Sequence, residues 1–506
     1  MRAKTLMVQG TGSSVGKSVL VTALCRIFKQ QGLRVAPFKA QNMSLNSFVT
    51  AAGEEIGRAQ VVQAEAAGIA PTVEMNPVLL KPESDHHAQI IVHGRPLTRI
   101  SAAHFPQLKA HLWDAISESI DRLRCNYDVV VIEGAGSPAE VNLKDRDLVN
   151  MKVALYCNAP VLLAADIDRG GIFASLVGTM ELLDAAEKER VKAFIVNKFR
   201  GDVSLLKPGL DWLEARTGVP VVGVVPYYHD IHIAEEDSLA LERRRAMKNR
   251  LDFDLDIAVV ALPHIANFDD FDPFEREPRV RLRYVEAGDE LGQPDLIIIP
   301  GSKTTVADLD YLRRSGRERE IIGAVSAGVP IIGICGGFQM LGTAIHDPEL
   351  VESTNRLTAG MGLLPTTTRF SAIKSTHQVR ARVLAGFGLL AKAKDAALSG
   401  YEIHMGQTQG TGTNPPFLIE QRANNICPYS DGALSADGNV VGTYIHGLFH
   451  NDALRRAILL ELAERKGQRL AESTLQFSAD EQYDRLAAHV RSSLNMELIQ
   501  RILDQP

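Results

Sequence analysis

Short runs of β-branched and aliphatic residues recur along the chain, each closed by a glycine, a proline or a charge and followed by apolar positions at helical spacing. TLMVQG, VVVIEG, PVLLAAD, AFIVNK and PVVGVVP lie in the first half, and DIAVVAL, DLIIIPG and PIIGICG in the second. Continuous apolar runs of this length suit strands buried on both faces, so the alternation predicts an α/β fold of mainly parallel sheets covered by helices. Between the halves, EEDSLALERRRAMKNRLDFD is highly charged and has no strand pattern, which marks a domain boundary. The pattern divides the chain into a first domain over 1–235, a charged linker over 236–251, a second domain over 252–450 and a C-terminal helical extension over 451–506. In that extension LRRAILLELAERKG has apolar residues at helical spacing and is expected to pack on the second domain.

With 506 residues and 45% hydrophobic content, the chain is too long for one core. Its formal charge of −6 lacks the basic footprint that nucleic acid or an anionic membrane surface requires, so neither is an expected partner and a small-molecule substrate is. No apolar stretch approaches the roughly 20 residues that span a bilayer. The amino terminus, MRAKTLMVQGTG, runs from a short apolar segment straight into glycines, unlike a secretory signal. The five cysteines, Cys25, Cys125, Cys157, Cys335 and Cys427, are odd in number and never in CxxC spacing, which points to a reducing cytoplasm with neither a disulfide framework nor a zinc site. Oligomeric state leaves no mark in the sequence.

VQGTGSSVGKSVLVTALCRIFKQQG begins as a strand, turns through Gly10, Gly12 and Gly16, and becomes an amphipathic helix. Glycines let the backbone wrap phosphate oxygens, the helix terminus adds partial positive charge, Lys17 can reach terminal phosphates and the Ser18 hydroxyl can ligate magnesium. The usual spacing would put its first glycine at position 11, which is Thr11; the glycine stands one residue earlier. Glu133, after the apolar run VVVI, falls at a strand's carboxyl end, where such sheets bind ligands, and is a second magnesium candidate. Asp166 and Asp168 in LLAADIDRGG offer further carboxylates, with Arg169 close enough in sequence for a structural ion pair instead. Asn197, just past AFIV, can read adenine through its amide or simply form a turn.

In the second half, GICGG has the form of a nucleophile elbow, a side chain held in a tight turn between a strand and the helix FQMLGTAI. Cys335 is therefore the candidate nucleophile, its thiolate favoured by the helix terminus. His446, after the strand in VVGTYIHGLFHN, is the candidate base. Backbone N–H groups around Gly301, Ser302 and Lys303 in DLIIIPGSKTT, together with Gly336, can form an oxyanion hole.

GTGSSVGKS, the EGAG after a strand and the NK after a later one resemble the dethiobiotin synthetase family of P-loop enzymes over about residues 1–230. The resemblance implies ATP as co-substrate, Mg2+ as cofactor, and Lys39 in PFKAQNMSLNS facing phosphate or substrate. The oxyanion turn, the elbow and the histidine, in that order, resemble a class I glutamine amidotransferase over about 252–450, which implies that Cys335 attacks glutamine with His446 as proton shuttle. Most of that class carry a glutamate two residues after the histidine, where this chain has Leu448. That leaves a Cys-His dyad, or orientation of His446 by another group, for which Glu402 and His404 in YEIHMG are the candidates.

PFKAQNMSLNS, NPVLLKP, DIDRGGIFASL and YEIHMG together resemble the cobyric acid synthase family over nearly the whole chain. This implies ATP- and glutamine-dependent amidation of the b, d, e and g carboxylates of adenosylcobyrinic acid a,c-diamide. Lys39, Asn42, Ser44 and Asn46 are then candidates for contact with this corrinoid. The cobyrinic acid a,c-diamide synthases share the domain plan, and a non-catalytic P-loop partitioning protein with a degenerate second domain is the alternative from another functional class.

Overall fold

The computed structural model describes residues 2–83, 87–101, 105–228, 231–234, 252–412, 414–470 and 478–505. The expected linker over 236–251 lies outside these residues. The chain forms two compact units. The first comprises Met1–Ser44, Glu55–Asp237 and Phe477–Pro506, and the second Leu45–Glu54 and Ser238–Gln476.

Every apolar run of the first half becomes a strand of one parallel sheet. In spatial order the strands are Val221–Pro226, Val191–Phe199, Val161–Asp166, Lys4–Gly10, Val129–Glu133 and Val35–Phe38. The helix Lys17–Gln30 buries Leu20, Leu24, Ile27 and Phe28 against it. Parallel strands all end on the same edge, so Gly10 and Glu133 emerge side by side, the register pairing Val8 with Glu133. A smaller sheet contains Gln41–Met43, Val78–Pro82, His87–Val92 and Arg95–Ser101.

In the second unit, five parallel strands lie in the order Val280–Val285, Leu255–Val260, Leu296–Ile299, Ile331–Ile334 and Val440–Thr443, with Ala433–Leu434 antiparallel at the end. A second, largely antiparallel sheet in this unit was not expected from the apolar runs. Its centre is Thr366–Val383, paired with Ala397–Gly410 and Phe417–Arg422. The strict alternation of buried and exposed residues over TTTRF reflects one covered face and one solvated face, unlike the continuous burial of the parallel strands.

The carboxyl-terminal region departs from expectation in part. The helix Asp452–Arg465 packs on the second unit as expected, through Leu454, Ile458, Leu459 and Leu462. Ala479–Ser493 and Met496–Asp504 belong to the first, where Leu486, Val490, Ile499, Ile502 and Leu503 join the core of the strand Lys4–Gly10 and its neighbours. An amphipathic pattern shows that a helix has a face to bury, but not which core covers it. Here Arg26, on the first helix, adds ion pairs with Asp480 and Asp484.

Candidate active sites

In the first unit, Gly16 stands at φ 97° and caps the helix Lys17–Gln30; a Cβ there would lie 2.2 Å from Asn197 Nδ2. Glycine at this position permits both the left-handed backbone and the close approach. Gly10 closes the strand and Gly12 faces open space. Lys17 turns back over the loop, donating to the carbonyls of Gly12 (2.8 Å) and Gly136 (3.0 Å).

Ser18 Oγ donates to Glu133 Oε1 at 2.8 Å, Lys39 Nζ reaches the same oxygen at 2.9 Å, and Gln63 Nε2 takes the other oxygen at 2.5 Å. Burial pushes the Glu133 carboxyl up, but the Lys39 ammonium and the two other hydrogen bonds outweigh it and hold the group below its ordinary range. Glu133 therefore stays ionised inside the protein. Among the described residues no cluster of three or more His, Cys, Asp or Glu side chains could hold a metal by itself. Magnesium typically takes one or two protein oxygens and completes its shell with phosphate and water, a requirement that the Ser18 and Glu133 oxygens fit.

The other candidates for this site also have partners within the protein. Asp166 is paired with Lys198 at 2.8 Å and Arg169 at 3.8 Å, and Asp168 with Arg200 at 3.0 Å, so their carboxylates hold cationic side chains of the protein. Asn197 Nδ2 donates to the Val15 carbonyl at 2.8 Å, which makes it a brace beneath the phosphate loop. Asn42 is buried and donates to Gln60 at 3.1 Å, and Ser44 is also buried. Asn46 lies in the other unit, accepting from the Phe268 N–H at 3.3 Å. The polar run that reads as one substrate loop is thus divided between two cores.

In the second unit, Cys335 sits between the strand Ile331–Ile334 and the helix Gly336–Leu341 with φ 53° and ψ −109°. A non-glycine residue in that region is strained, and the strain holds the side chain at the mouth of the turn. The helix is shorter than FQMLGTAI suggests, because Gly342 is extended and Ala344–His346 forms a strand. The Sγ donates to the Ile403 carbonyl at 3.6 Å.

His446 is 1% exposed, and its Nδ1 meets Asp270 Oδ2 at 2.7 Å. The other Asp270 oxygen accepts from the Gly447 N–H at 2.7 Å, so the carboxylate grips both the imidazole and the backbone next to it. Burial alone would lower the His446 pKa; Asp270, helped by the Cys335 sulfur, reverses this and pushes it up to about 10. Tyr401 lies nearly parallel to the imidazole, 5.3 Å away.

Asp270 is the residue that sequence reasoning missed. It occupies the place beside His446 for which Glu402 and His404 were candidates. Glu402 instead binds Arg422 and Tyr429, while His404 stacks on Tyr444 at 3.8 Å and directs Nδ1 to the Gly406 carbonyl. The one available signal was an acid embedded among aromatics in NFDDFDPF, where Phe268, Phe271 and Phe274 are buried.

Gly301 lies against the imidazole, a Cβ there falling 3.0 Å from His446 Cε1, and a Cβ on Gly336 would fall 2.9 Å from Ser302 N. The backbone at Gly301, Ser302 and Gly336 thus converges beside Cys335 and His446. Lys303 does not join it, because its N–H donates to the His264 carbonyl at 3.0 Å. Ser302 is held by its hydroxyl, which donates to the buried Asp308 at 2.6 Å.

Residues 6–241 match the family model for the CobQ/CobB/MinD/ParA nucleotide binding domain, and residues 256–454 that for the CobB/CobQ-like glutamine amidotransferase domain. A cobyric acid synthase of Sorangium cellulosum is 55% identical over 516 residues, covering 99% of this chain and 99% of that protein. One from Dehalococcoides mccartyi is 50% identical over 505 residues with the same coverage of both, and one from Desulforamulus reducens is 51% identical over 507 residues, covering 99% of this chain and 98% of its own. With both domain models matched in order and this identity sustained from end to end, the chain belongs to the cobyric acid synthase family.

Proposed function

We propose that the chain amidates the b, d, e and g carboxylates of adenosylcobyrinic acid a,c-diamide, with ATP to activate each carboxylate and glutamine to supply each nitrogen. The observation that carries this reading is the buried line Cys335, His446, Asp270 in a chain that also holds the Lys17, Ser18 and Glu133 cradle.

Glutamine hydrolysis follows from the second unit's residues. With the Cys335 proton on His446, whose imidazolium is held by Asp270, the sulfur attacks the side-chain carbonyl carbon of glutamine. The oxygen that gains charge faces the amides around Gly301, Ser302 and Gly336. His446 then protonates the departing nitrogen, releasing ammonia and leaving a γ-glutamyl thioester. Water activated by the neutral imidazole cleaves the thioester to glutamate and the free thiol.

Carboxylate does not react with ammonia near neutral pH, because oxide is a poor leaving group. In the first unit Lys17 and the loop amides would hold the ATP phosphates while a substrate carboxylate oxygen takes the γ-phosphoryl group, giving an acyl phosphate and ADP. Ser18 and Glu133 would hold magnesium, which when bound neutralises charge on the phosphates. Lys39, tied to Glu133, would face either phosphate or substrate. Ammonia then attacks the acyl carbon, phosphate leaves, and a carboxamide and a proton remain.

Mass spectrometry of adenosylcobyrinic acid a,c-diamide after incubation with the protein, Mg-ATP and glutamine tests the proposal. A ladder of successive carboxylate-to-amide conversions is expected. Conversion of cobyrinic acid but not of its diamide would assign the chain to the a,c-diamide reaction instead, and no amidation of either would overturn the reading.

A further inference from the structure

Leu45–Glu54 is the piece of the amino-terminal half that belongs to the second unit, and its contacts gather on the support of the thiol site. Asn46 Oδ1 accepts from the Phe268 N–H at 3.3 Å, and the Ser47 N–H donates to Asn267 Oδ1 at 2.9 Å. Two adjacent residues thus clasp two adjacent residues, and all four are largely buried. Asn267, at φ 54°, starts the 3-10 turn Phe268–Phe271 that carries Asp270.

A second set of contacts reaches the imidazole from its other side. Tyr401 Oη donates to the Ser47 carbonyl at 3.3 Å, and its ring meets Phe48 edge-on at 5.0 Å while stacking on His446. Val49 packs with Tyr401 and Ile403, whose carbonyl accepts from Cys335. The far end of the segment is tied down by Gln378 Nε2 on the Val49 carbonyl (3.0 Å) and Thr376 Oγ1 on the Gly53 carbonyl (2.6 Å).

We propose that Asn46 is a positioning residue for glutamine hydrolysis: with Asn267 it fixes the turn that presents Asp270 to His446, and residues 45–54 act as a strap steadying Asp270 and Tyr401 about the imidazole. The proposal rests on the Cys335, His446 and Asp270 reading given above. Asp270 and Cys335 are the charged and titratable groups that set the imidazole's protonation, and the Tyr401 ring covers its face. Releasing the clasp removes hydrogen bonds that hold the start of the turn, and small displacements of a catalytic group are costly in rate. Asn46 reads in the sequence as a corrinoid contact; its partners place it with the hydrolytic machinery.

The test uses the full chain with Asn46→Ala and, separately, Asn267→Gly, which keeps the left-handed backbone but removes the acceptor. Glutamate release and amide formation are followed with Mg-ATP and the diamide, using glutamine or ammonium chloride as nitrogen source. In both variants the glutamine-supported kcat should fall ~10- to 100-fold with little change in the KM for glutamine. The alkaline limb of the glutaminase pH profile should move to lower pH, and ammonium-supported synthesis should stay at the wild-type rate. Equal loss with both nitrogen sources, or an unchanged glutamine kcat and pH profile, would overturn the proposal. A wild-type protein that releases no glutamate would overturn the underlying function instead, which separates the two failures.

Discussion

The two sites handle buried charge in opposite ways. In the first unit the charges stand ready and mutually satisfied: Lys17 is held by two carbonyls, and Glu133 by Lys39, Gln63 and Ser18. A ligand there exchanges one set of partners for another, so the cradle can be rigid before anything binds. In the second unit one buried carboxylate, Asp270, faces a histidine and a thiol whose proton can sit on either. The proton on His446 is moved during the reaction, and the surroundings must hold the imidazolium in place to deliver it. A preformed cradle tolerates a neighbour's small shift, whereas a proton relay depends on the aim of each member.

The largest effects should separate the sites completely. Cys335→Ala is expected to abolish glutamine-supported amidation and retain ammonium-supported amidation, whereas Lys17→Ala loses both; equal loss in the cysteine variant would make the thiol structural. Asp270→Asn should cut glutamate release by ~10³-fold or more, the scale seen when an orienting carboxylate is neutralised. Its effect on stability has a definite sign. The His446 pKa is raised from 6.5 to about 10, so the imidazolium–carboxylate pair contributes fully below about pH 6.5 and is lost as pH rises through about 10. Thermal melts of wild type and Asp270→Asn should therefore converge toward the alkaline end.

A smaller effect is expected where charge is buried but not used. Glu402→Gln removes the partner of Arg422 and Tyr429 and should cost ~1–3 kcal/mol of stability in denaturant titrations. Burial raises the Glu402 pKa but its hydrogen bonds and Arg422 lower it on balance, so this contribution is present above the ordinary carboxylate pKa and lost as pH falls through the depressed one. A glutaminase rate reduced as far as in Asp270→Asn would show that Glu402, too, supports His446. The smallest change is at the carboxyl terminus. Asp484→Asn weakens one ion pair to Arg26 whose acidic partner is half exposed, and should cost less than ~1 kcal/mol in the same titrations.

What could be read from the sequence divides along the same line as the sites. Gly10 to Ser18 and the Cys335 elbow are local devices, in which the residues that force the backbone are the residues that do the chemistry. Parallel strands were readable because burial on both faces leaves an unbroken apolar run. Asp270 was not readable, because its partner His446 comes from a distant strand end and NFDDFDPF offers several acids with no local reason to prefer one. Asn42 and Asn46 look like surface amides until their buried partners are seen. The antiparallel sheet was not readable, because TTTRF alternates in burial while three of its residues are threonine.

The most direct test of the central claim, that one chain joins glutamine hydrolysis to ATP-driven amidation, is to follow the nitrogen. Glutamine carrying a heavy side-chain nitrogen is supplied with Mg-ATP and the diamide, and the product is weighed. One heavy nitrogen is expected in every new carboxamide for the wild-type protein, and none for Cys335→Ala, which takes label only from heavy ammonium. Label from glutamine in the cysteine variant, or none in the wild type, would contradict it.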